Sequence, residues 1–382
     1  MFHFQLNKIN SVTARGSRRI VVYLWSVISI VYFSTTLSAS PDRDYIDQLL
    51  VSGRLAYSSG NYIQAENDLG RAVVESGTNG SSGAQMVLAS GDLGSVLLSE
   101  GRYVEAEICF NRAIAILKAD ESVNRRQLPV LLGNLGKVYQ HTGRYPQAEI
   151  VLREALKLSR RHLADRPFYV ADLHNSFGVL HFAMGNIGIA ERDFKKAMAL
   201  TESASDDDPH RAPIFSNLAT MYFVRQKWSL AEESLHRSIQ IVEKSRGLEH
   251  PDLCPLLDNA GFIYLQKHKL IQAETVLRRS LTIRQKSMGT DNPNTAATAA
   301  GLANVLAARE AYEEAGRLYA DALKTQERVF GLQSPEVARC LDGLAYVLRQ
   351  THNDDQAKSL ETRAEVIRLR LSYTVSVKDL HR

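Results

Sequence analysis

Gly143-Arg144-Tyr145-Pro146-Gln147-Ala148-Glu149 is one copy of a pattern that recurs along most of the chain. A Gly or polar turn is followed by an aromatic or aliphatic residue and then by Ala, at Ala65, Ala106, Ala148, Ala190, Ala231, Ala273, Ala315 and Ala357. Seven of these eight alanines precede Glu or Gly, and they lie 41 or 42 residues apart. Pro167, Pro209, Pro251, Pro293 and Pro335 form a second comb with a spacing of 42. Self-similarity at one fixed period is the mark of a repeat array, in which each unit buries its apolar face against its neighbours. The 382 residues therefore need not divide into two or three globular domains.

Each repeat reads as two amphipathic helices joined by a tight turn. Leu132, Leu135, Val138 and Tyr139 form one apolar stripe, and Ala148, Val151, Leu152, Ala155 and Leu156 resume it beyond Gly143. Pro146 falls in the first turn of the second helix, where its missing N–H costs nothing. Small residues at Ala148 and Ala155 let the two helices approach closely. Between repeats, His250-Pro251-Asp252, Asn292-Pro293-Asn294 and Ser334-Pro335-Glu336 place Pro where the next helix should begin, with Asn292 and Ser334 as caps. Gly77 to Gly83 reads as a flexible linker between the first two repeats. No stretch shows the alternation of a strand. The fold expected is all-α, an α-solenoid of about eight antiparallel helix pairs.

Residues 1–40 precede the array and read as a targeting segment. Lys8, Arg15, Arg18 and Arg19 make a basic flank, Ile20 to Phe33 is mostly apolar, and Ser34 to Ser40 is small and polar. That layout suits a secretory signal, whose apolar core runs roughly 7–15 residues. Counting through Ala39 brings the apolar stretch to the length of a retained N-terminal anchor, so residues 20–39 can be read either way. Both readings keep the positive flank in the cytoplasm and carry the repeats across, to a periplasmic or secreted location. The leader has no Cys, which excludes a lipoprotein anchor. The array is assigned residues 41–371 and a C-terminal tail residues 372–382.

The formal charge of +4 belongs to the leader: with its four basic residues set aside, the 46 Lys and Arg of the chain fall level with the 42 Asp and Glu. A neutral body carries no electrostatic footprint for nucleic acid or anionic lipid, so neither is expected as a partner. The three cysteines, Cys109, Cys254 and Cys340, are odd in number, lie in different repeats and form no CxxC. If stacked repeats touch only their neighbours they cannot pair, and they read as packing residues.

Leu132-Gly133-Asn134-Leu135-Gly136-Lys137-Val138-Tyr139, together with Gly143, Tyr145, Ala148, Leu152 and Ala155, resembles the tetratricopeptide repeat. The long period, and Gly247-Leu248-Glu249-His250-Pro251-Asp252 between repeats, are similar to the kinesin-light-chain subtype. The resemblance covers about Asp42 to Arg370. It departs at the ends, where Ser52 and Glu361 stand at positions usually apolar, as suits repeats that face water. HEAT repeats have a similar period, but the turn Gly and the Ala-Glu pair favour the tetratricopeptide form. The resemblance implies a right-handed superhelix whose first helices line a concave face used for binding.

Residues for chemistry are scarce. HExxH, GxSxG, GxGxxG and CxxC are all missing from the sequence, and the Gly-Lys at Gly136-Lys137 is followed by Val138 instead of the Ser or Thr of a phosphate loop. His174 and His181 share one helix, with His141 in the preceding repeat, but no carboxylate is evident to complete a metal site. His181 stands in the slot held by Tyr139, Tyr222 and Tyr264, which argues for packing. Paired basics such as Arg160-Arg161, Lys195-Lys196 and Arg278-Arg279 read as a solvated outer face. No enzyme activity, metal or cofactor is expected.

The resemblance places one residue per repeat, just before the Leu of the first helix, in the groove. That position reads Asp92, Asn134, Ser176, Asn217, Asn259, Gly301 and Gly343. Short amides can bridge the N–H and C=O of an extended peptide without demanding a sequence. Further along the same face, Val179, Phe182, Thr220, Phe223, Phe262 and Tyr346 could form side-chain pockets. The candidate peptide-binding residues are thus Asn134, Ser176, Asn217, Asn259, Thr220, Phe223 and Phe262, with an extended segment of another protein as ligand. An alternative is an architectural subunit of an envelope complex that uses its outer face or its ends.

Overall fold

The computed structural model describes residues 43–77, 82–119, 123, 125–163, 166–202, 205 and 207–379; the leader lies outside them. They form sixteen α-helices and no strand. The helices pair as α1 Arg43–Ser58 with α2 Tyr62–Ser76, α3 Gly83–Ser99 with α4 Tyr103–Ala119, α5 Leu128–His141 with α6 Tyr145–His162, and α7 Pro167–Ala183 with α8 Ile187–Ala199. The second half continues as α9 Arg211–Val224 with α10 Trp228–Arg246, α11 Leu253–Gln266 with α12 Leu270–Met288, α13 Pro293–Ala308 with α14 Tyr312–Phe330, and α15 Pro335–Gln350 with α16 Asp354–Asp379. Helix α16 thus runs on through most of the segment assigned to the tail.

The recurring Ala is the hinge of this geometry. All eight, from Ala65 to Ala357, are fully buried, and so is the residue seven positions on, from Ala72 to Ala364, where Ser238 and Ser280 stand in for Ala. Two small side chains two turns apart bring the second helix close to the first. In return the second helix inserts a large residue against a glycine of the first. A Cβ on Gly53, Gly94, Gly136, Gly178 or Gly261 would lie 2.4–2.8 Å from Leu69, Phe110, Leu152, Phe194 or Leu277, respectively. In the last repeat Glu361 occupies the large-residue position and instead pairs with Arg349 at 2.6 Å on the surface, as an end facing water requires.

The turn between the helices of a pair always contains one residue with positive φ. It is Gly60, Gly101, Gly143 and Gly185 in the first four repeats, and Gln226, His268, Glu310 and His352 in the last four, with φ of 55–62° for these side-chain-bearing residues. The Glu that follows the recurring Ala also has a use. In five of six cases it pairs with a basic residue in the turn of the next repeat: Glu66 with Arg102, Glu107 with Arg144, Glu191 with Arg225, Glu232 with Lys267 and Glu274 with Arg309, while Glu149 pairs with Arg153 of its own helix. Arg278 and Arg279 likewise reach Glu314 and Glu243 of adjoining repeats, so this pair of basics stitches repeats together instead of standing free in solvent.

Helix starts follow the sequence signals with two adjustments. Asn292 accepts from the N–H of Asn294 and Thr295, and Ser334 from that of Val337, as expected of caps, while α11 begins at Leu253, two residues after Pro251. The Gly77–Gly83 stretch is more ordered at its end than its composition suggests. Ser82 and Gln85 form a reciprocal capping box and Gly83 is already helical; residues 78–81 lie outside the described set.

The expectation that repeats touch only their neighbours fails at one place. The turns of the first two repeats sit on the loops that follow the fifth and sixth. Tyr62 Oη donates to Asp252 Oδ1 at 3.2 Å, and His250 Nε2 to the Ser58 carbonyl at 3.1 Å. One repeat on, Asn292 Nδ2 donates to the Glu100 carbonyl at 3.2 Å and Asn294 Nδ2 to the Ser99 carbonyl at 3.0 Å. Met288 of α12 packs on the core of the first repeat. The solenoid therefore coils tightly enough to close on itself within its own length. The cysteines remain unpaired thiols all the same. Burial pushes each thiol up to about 11, which leaves it protonated and inert near neutral pH.

Candidate functional site

First helices of consecutive repeats pack on each other along the whole array, α1 on α3, α3 on α5 and so on to α13 on α15. They form the tighter inner wall, and the second helices form the outer one. The polar position of the first helix can be placed on that wall residue by residue. Asn134 Nδ2 donates to Ser95 Oγ at 3.4 Å, Asn217 Nδ2 to Asn175 Oδ1 at 2.9 Å, and Asn259 Nδ2 to Ser216 Oγ at 3.4 Å. Each half-buried amide thus spends one N–H on the preceding repeat, and its Oδ1 takes no hydrogen bond from the described residues. Ser176 differs: it is 3 % exposed and turns its hydroxyl to the Asp172 carbonyl of its own helix. At the C-terminal end, a Cβ on Gly343 would lie 2.3 Å from the Tyr319 ring, so a side chain is excluded there by packing.

Around Asn134 the wall opens into a cavity of about 430 Å³ lined by Arg54, Asp92, Ser95, Arg126, Asn134 and Arg166 over an apolar floor that includes Leu131 and Leu163. Arg54 Nε meets Asp92 Oδ2 at 2.6 Å. Burial raises the Asp92 carboxyl above its ordinary range, and the Arg54 guanidinium opposes that rise. Three guanidinium groups and one carboxylate line the cavity, and two of these four groups, Arg54 and Asp92, pair with each other. Sequence reasoning stopped short of Arg54 and Ser95. They occupy the register position of Val179, Thr220 and Phe262, and following that comb toward the N-terminus would have reached them.

The aromatic part of the site lies further along, on α9 and α11. Phe223 meets Trp228 edge-on at 5.0 Å and Phe262 at 5.1 Å between ring centroids. Phe262 stays 52 % exposed, and Val224 beside Phe223 is exposed as well. Thr220 donates to the Ser216 carbonyl at 3.2 Å. Asn217, Thr220, Phe223, Asn259 and Phe262 therefore gather on two neighbouring first helices, while Asn134 belongs to the arginine-lined cavity.

The histidines answer differently than expected. A carboxylate does stand beside them: Asp193 Oδ2 is 2.7 Å from His181 Nδ1 and its other oxygen 4.0 Å from His174 Nδ1. His181 also stacks on Phe177 at 6.1 Å, so its slot is one of packing plus a hydrogen bond to Asp193. His141 is elsewhere, stacked on Tyr103 at 4.8 Å. Among the described residues no cluster of three His, Cys, Asp or Glu is arranged to hold a metal ion.

The sequence matches models described as tetratricopeptide repeat over residues 85–161, 170–210, 210–286, 252–326 and 294–368. Among curated proteins, none matches the chain. Several solved structures share its fold. The apo form of the quorum sensor NprR from B. thuringiensis superposes with a TM-score of 0.56 at 14% identity, over 95% of this chain and 96% of that one. Cut9–Hcn1, an APC/C hetero-tetramer, gives a TM-score of 0.58 at 14% identity over 88% and 55%. BtubC (BKLC) from P. vanneervenii gives 0.51 at 19% identity over 60% and 91%.

Proposed function

The chain belongs to the tetratricopeptide repeat family, and from that premise we propose that it is a non-catalytic scaffold holding an extended segment of a partner protein in its concave groove, outside the cytoplasm. Proteins of this family generally mediate protein–protein interaction or assembly. The observation that carries the finer reading is the trio Asn134, Asn217 and Asn259. Each is fixed by one amide hydrogen bond to the preceding repeat and keeps a carbonyl oxygen for an incoming backbone N–H. The exposed Phe262 ring and Val224 offer apolar contact for the segment's side chains. Export rests on the leader alone, whose basic flank and apolar run Ile20 to Phe33 have the order of a secretory signal or anchor.

The test is a titration of the partner co-purified with the exported array. Replacing Asn217 and Asn259 together by Ala removes two or more hydrogen bonds to the segment, each contributing roughly 0.5–1.5 kcal/mol, so affinity should fall about tenfold to a hundredfold. Ser176→Ala, buried and turned into its own helix, should leave binding unchanged. Normal binding by a folded double variant would move the partner elsewhere. An assembly role through the outer wall is the second reading, favoured by the exposed aliphatic side chains Val104, Ile108 and Ile150 on α4 and α6. It predicts co-purification that survives the asparagine changes and is lost when these three become polar.

A further inference from the structure

The contact between distant repeats is built to one plan twice. A first helix ends in carbonyls that have no partner within the helix. In the first repeat that end is Ser58, and in the second it is Ser99 and Glu100. The loops beneath them supply the missing donors from side chains that also brace their own loop. Asn292 divides its amide between the two tasks: its Oδ1 accepts from Asn294 and Thr295 N–H of its own loop, and its Nδ2 donates across to Glu100. His250, 42 positions earlier, divides its ring in the same way. Its Nδ1 accepts the Asp252 N–H at 3.2 Å and its Nε2 donates across to Ser58. Asp252 and Asn294, again equivalent, add the second contact of each rung, to Tyr62 and to the Ser99 carbonyl.

The fit at the turns is close. A Cβ on Gly60 would lie 2.3 Å from Pro251 and one on Gly101 2.7 Å from Asn294, whereas Gly143 and Gly185, with the same left-handed backbone, have nothing within 4 Å. The docking thus occupies two rungs and stops before the third. What holds it is the packing of Met288 and Pro251 on the first repeat together with hydrogen bonds to groups that water can satisfy instead, and such exchanges contribute little net free energy. Neighbouring repeats, by contrast, share a continuous apolar core. The distant contact is therefore the weakest joint in the array.

We propose that these two rungs are a latch: the array closes by docking the turns of repeats 1 and 2 on the loops at His250–Asp252 and Asn292–Asn294, and opens there as a unit. The helices that end at the latch, α1 and α3, also carry Arg54 and Asp92 of the arginine-lined cavity, so release displaces that side of the cavity relative to Asn134. The latch stands whether or not the groove binds a peptide, because its test reads shape alone.

The experiment compares Gly60→Ala/Gly101→Ala with Gly143→Ala/Gly185→Ala by small-angle scattering of the otherwise unchanged chain, with circular dichroism for helix content. Both pairs meet the same backbone strain, since φ is 71–80° at all four positions, but only the first pair collides with the distant loops. The latch pair should show a larger radius of gyration and longest dimension than the control pair at equal helix content. Hydrogen exchange should also rise at 56–62 and 248–254 in the latch pair alone. Equal dimensions and equal exchange in the two variants would overturn the proposal. If the latch pair fails to fold, His250→Ala with Asn294→Ala removes one donor from each rung and must enlarge the molecule; a wild-type profile from that variant overturns it equally.

Discussion

Gly178 and Gly301 both lie inside first helices, and the same substitution to Ala should change stability in opposite directions. In a helix interior Ala is favoured over Gly by roughly 0.5–1 kcal/mol. At Gly301 the nearest atom to the added methyl is 3.8 Å away, an ordinary contact, so Gly301→Ala should stabilise by about that amount. At Gly178 the methyl would lie 2.4 and 2.5 Å from two carbons of the Phe194 ring, about 1 Å inside a normal carbon–carbon contact. Phe194 cannot yield outward, because it is buried in a cluster with Ala190, Ala197, Ile214, Leu218 and Met221. Overpacking of this kind costs roughly 1–3 kcal/mol, which set against the propensity gain leaves a net loss of up to roughly 2.5 kcal/mol. Adding Phe194→Leu should recover most of it, since the double variant copies Ala219 and Leu235 of the fifth repeat, where the two pack in one core. Urea unfolding followed by circular dichroism reads all three variants. If Gly178→Ala shifts the midpoint upward as Gly301→Ala does, the glycine is not the socket for the ring and the packing argument fails.

Ala273→Leu should also overpack, because Ala273 is fully buried; a loss of roughly 1–3 kcal/mol with a broader unfolding transition is expected, and an unchanged curve would place it away from the helix crossing. Burial holds His250 below its ordinary value, with Asp252 opposing and Arg246 adding to the depression. The unfolded imidazole then takes its proton first, so this group's stabilising effect is present above about pH 6.5 and is lost as the pH falls below it. Glu100, pushed up to about 7 chiefly by burial, runs the other way and loses stability as pH rises toward that value. His250→Asn copies the untitrating Asn292 and removes only the first effect; its urea midpoint should gain on the wild type between about pH 7 and pH 5, and a constant difference would refute the assignment. An export-dependent reporter fused after Arg382 should be active; activity of a cytoplasm-dependent reporter instead would refute the reading of the leader.

The helix pairs were legible because a repeat states its rules eight times. One Ala could be chance, but Ala65 to Ala357 at one period required a recurring close approach, and each proved fully buried. The inner wall could be read in part for the same reason, since Asn134, Asn217 and Asn259 share a register. Ser176 shares it too, yet its hydroxyl folds back to its own helix, a choice made by local geometry that register does not encode. Asp193 escaped notice because it reaches His181 from the second helix of the pair, and only the packed pair brings the two together. The latch was beyond sequence reasoning. It depends on the rotation accumulated over more than four repeats, and no single position records that sum.

The ion pairs from Glu66 to Glu274 have a mechanical side. Each links a second helix to the turn of the following repeat, and each is exposed enough to contribute only about 0–1 kcal/mol. All five, however, resist the same motion, the tilt of one repeat on the next, and they act in series along the coil. Such pairs weaken once salt shortens the screening length to a few ångströms, while the apolar seam beneath them does not. The array should therefore bend more easily as ionic strength rises while its helices stay intact, which small-angle scattering beside circular dichroism across a salt series would read.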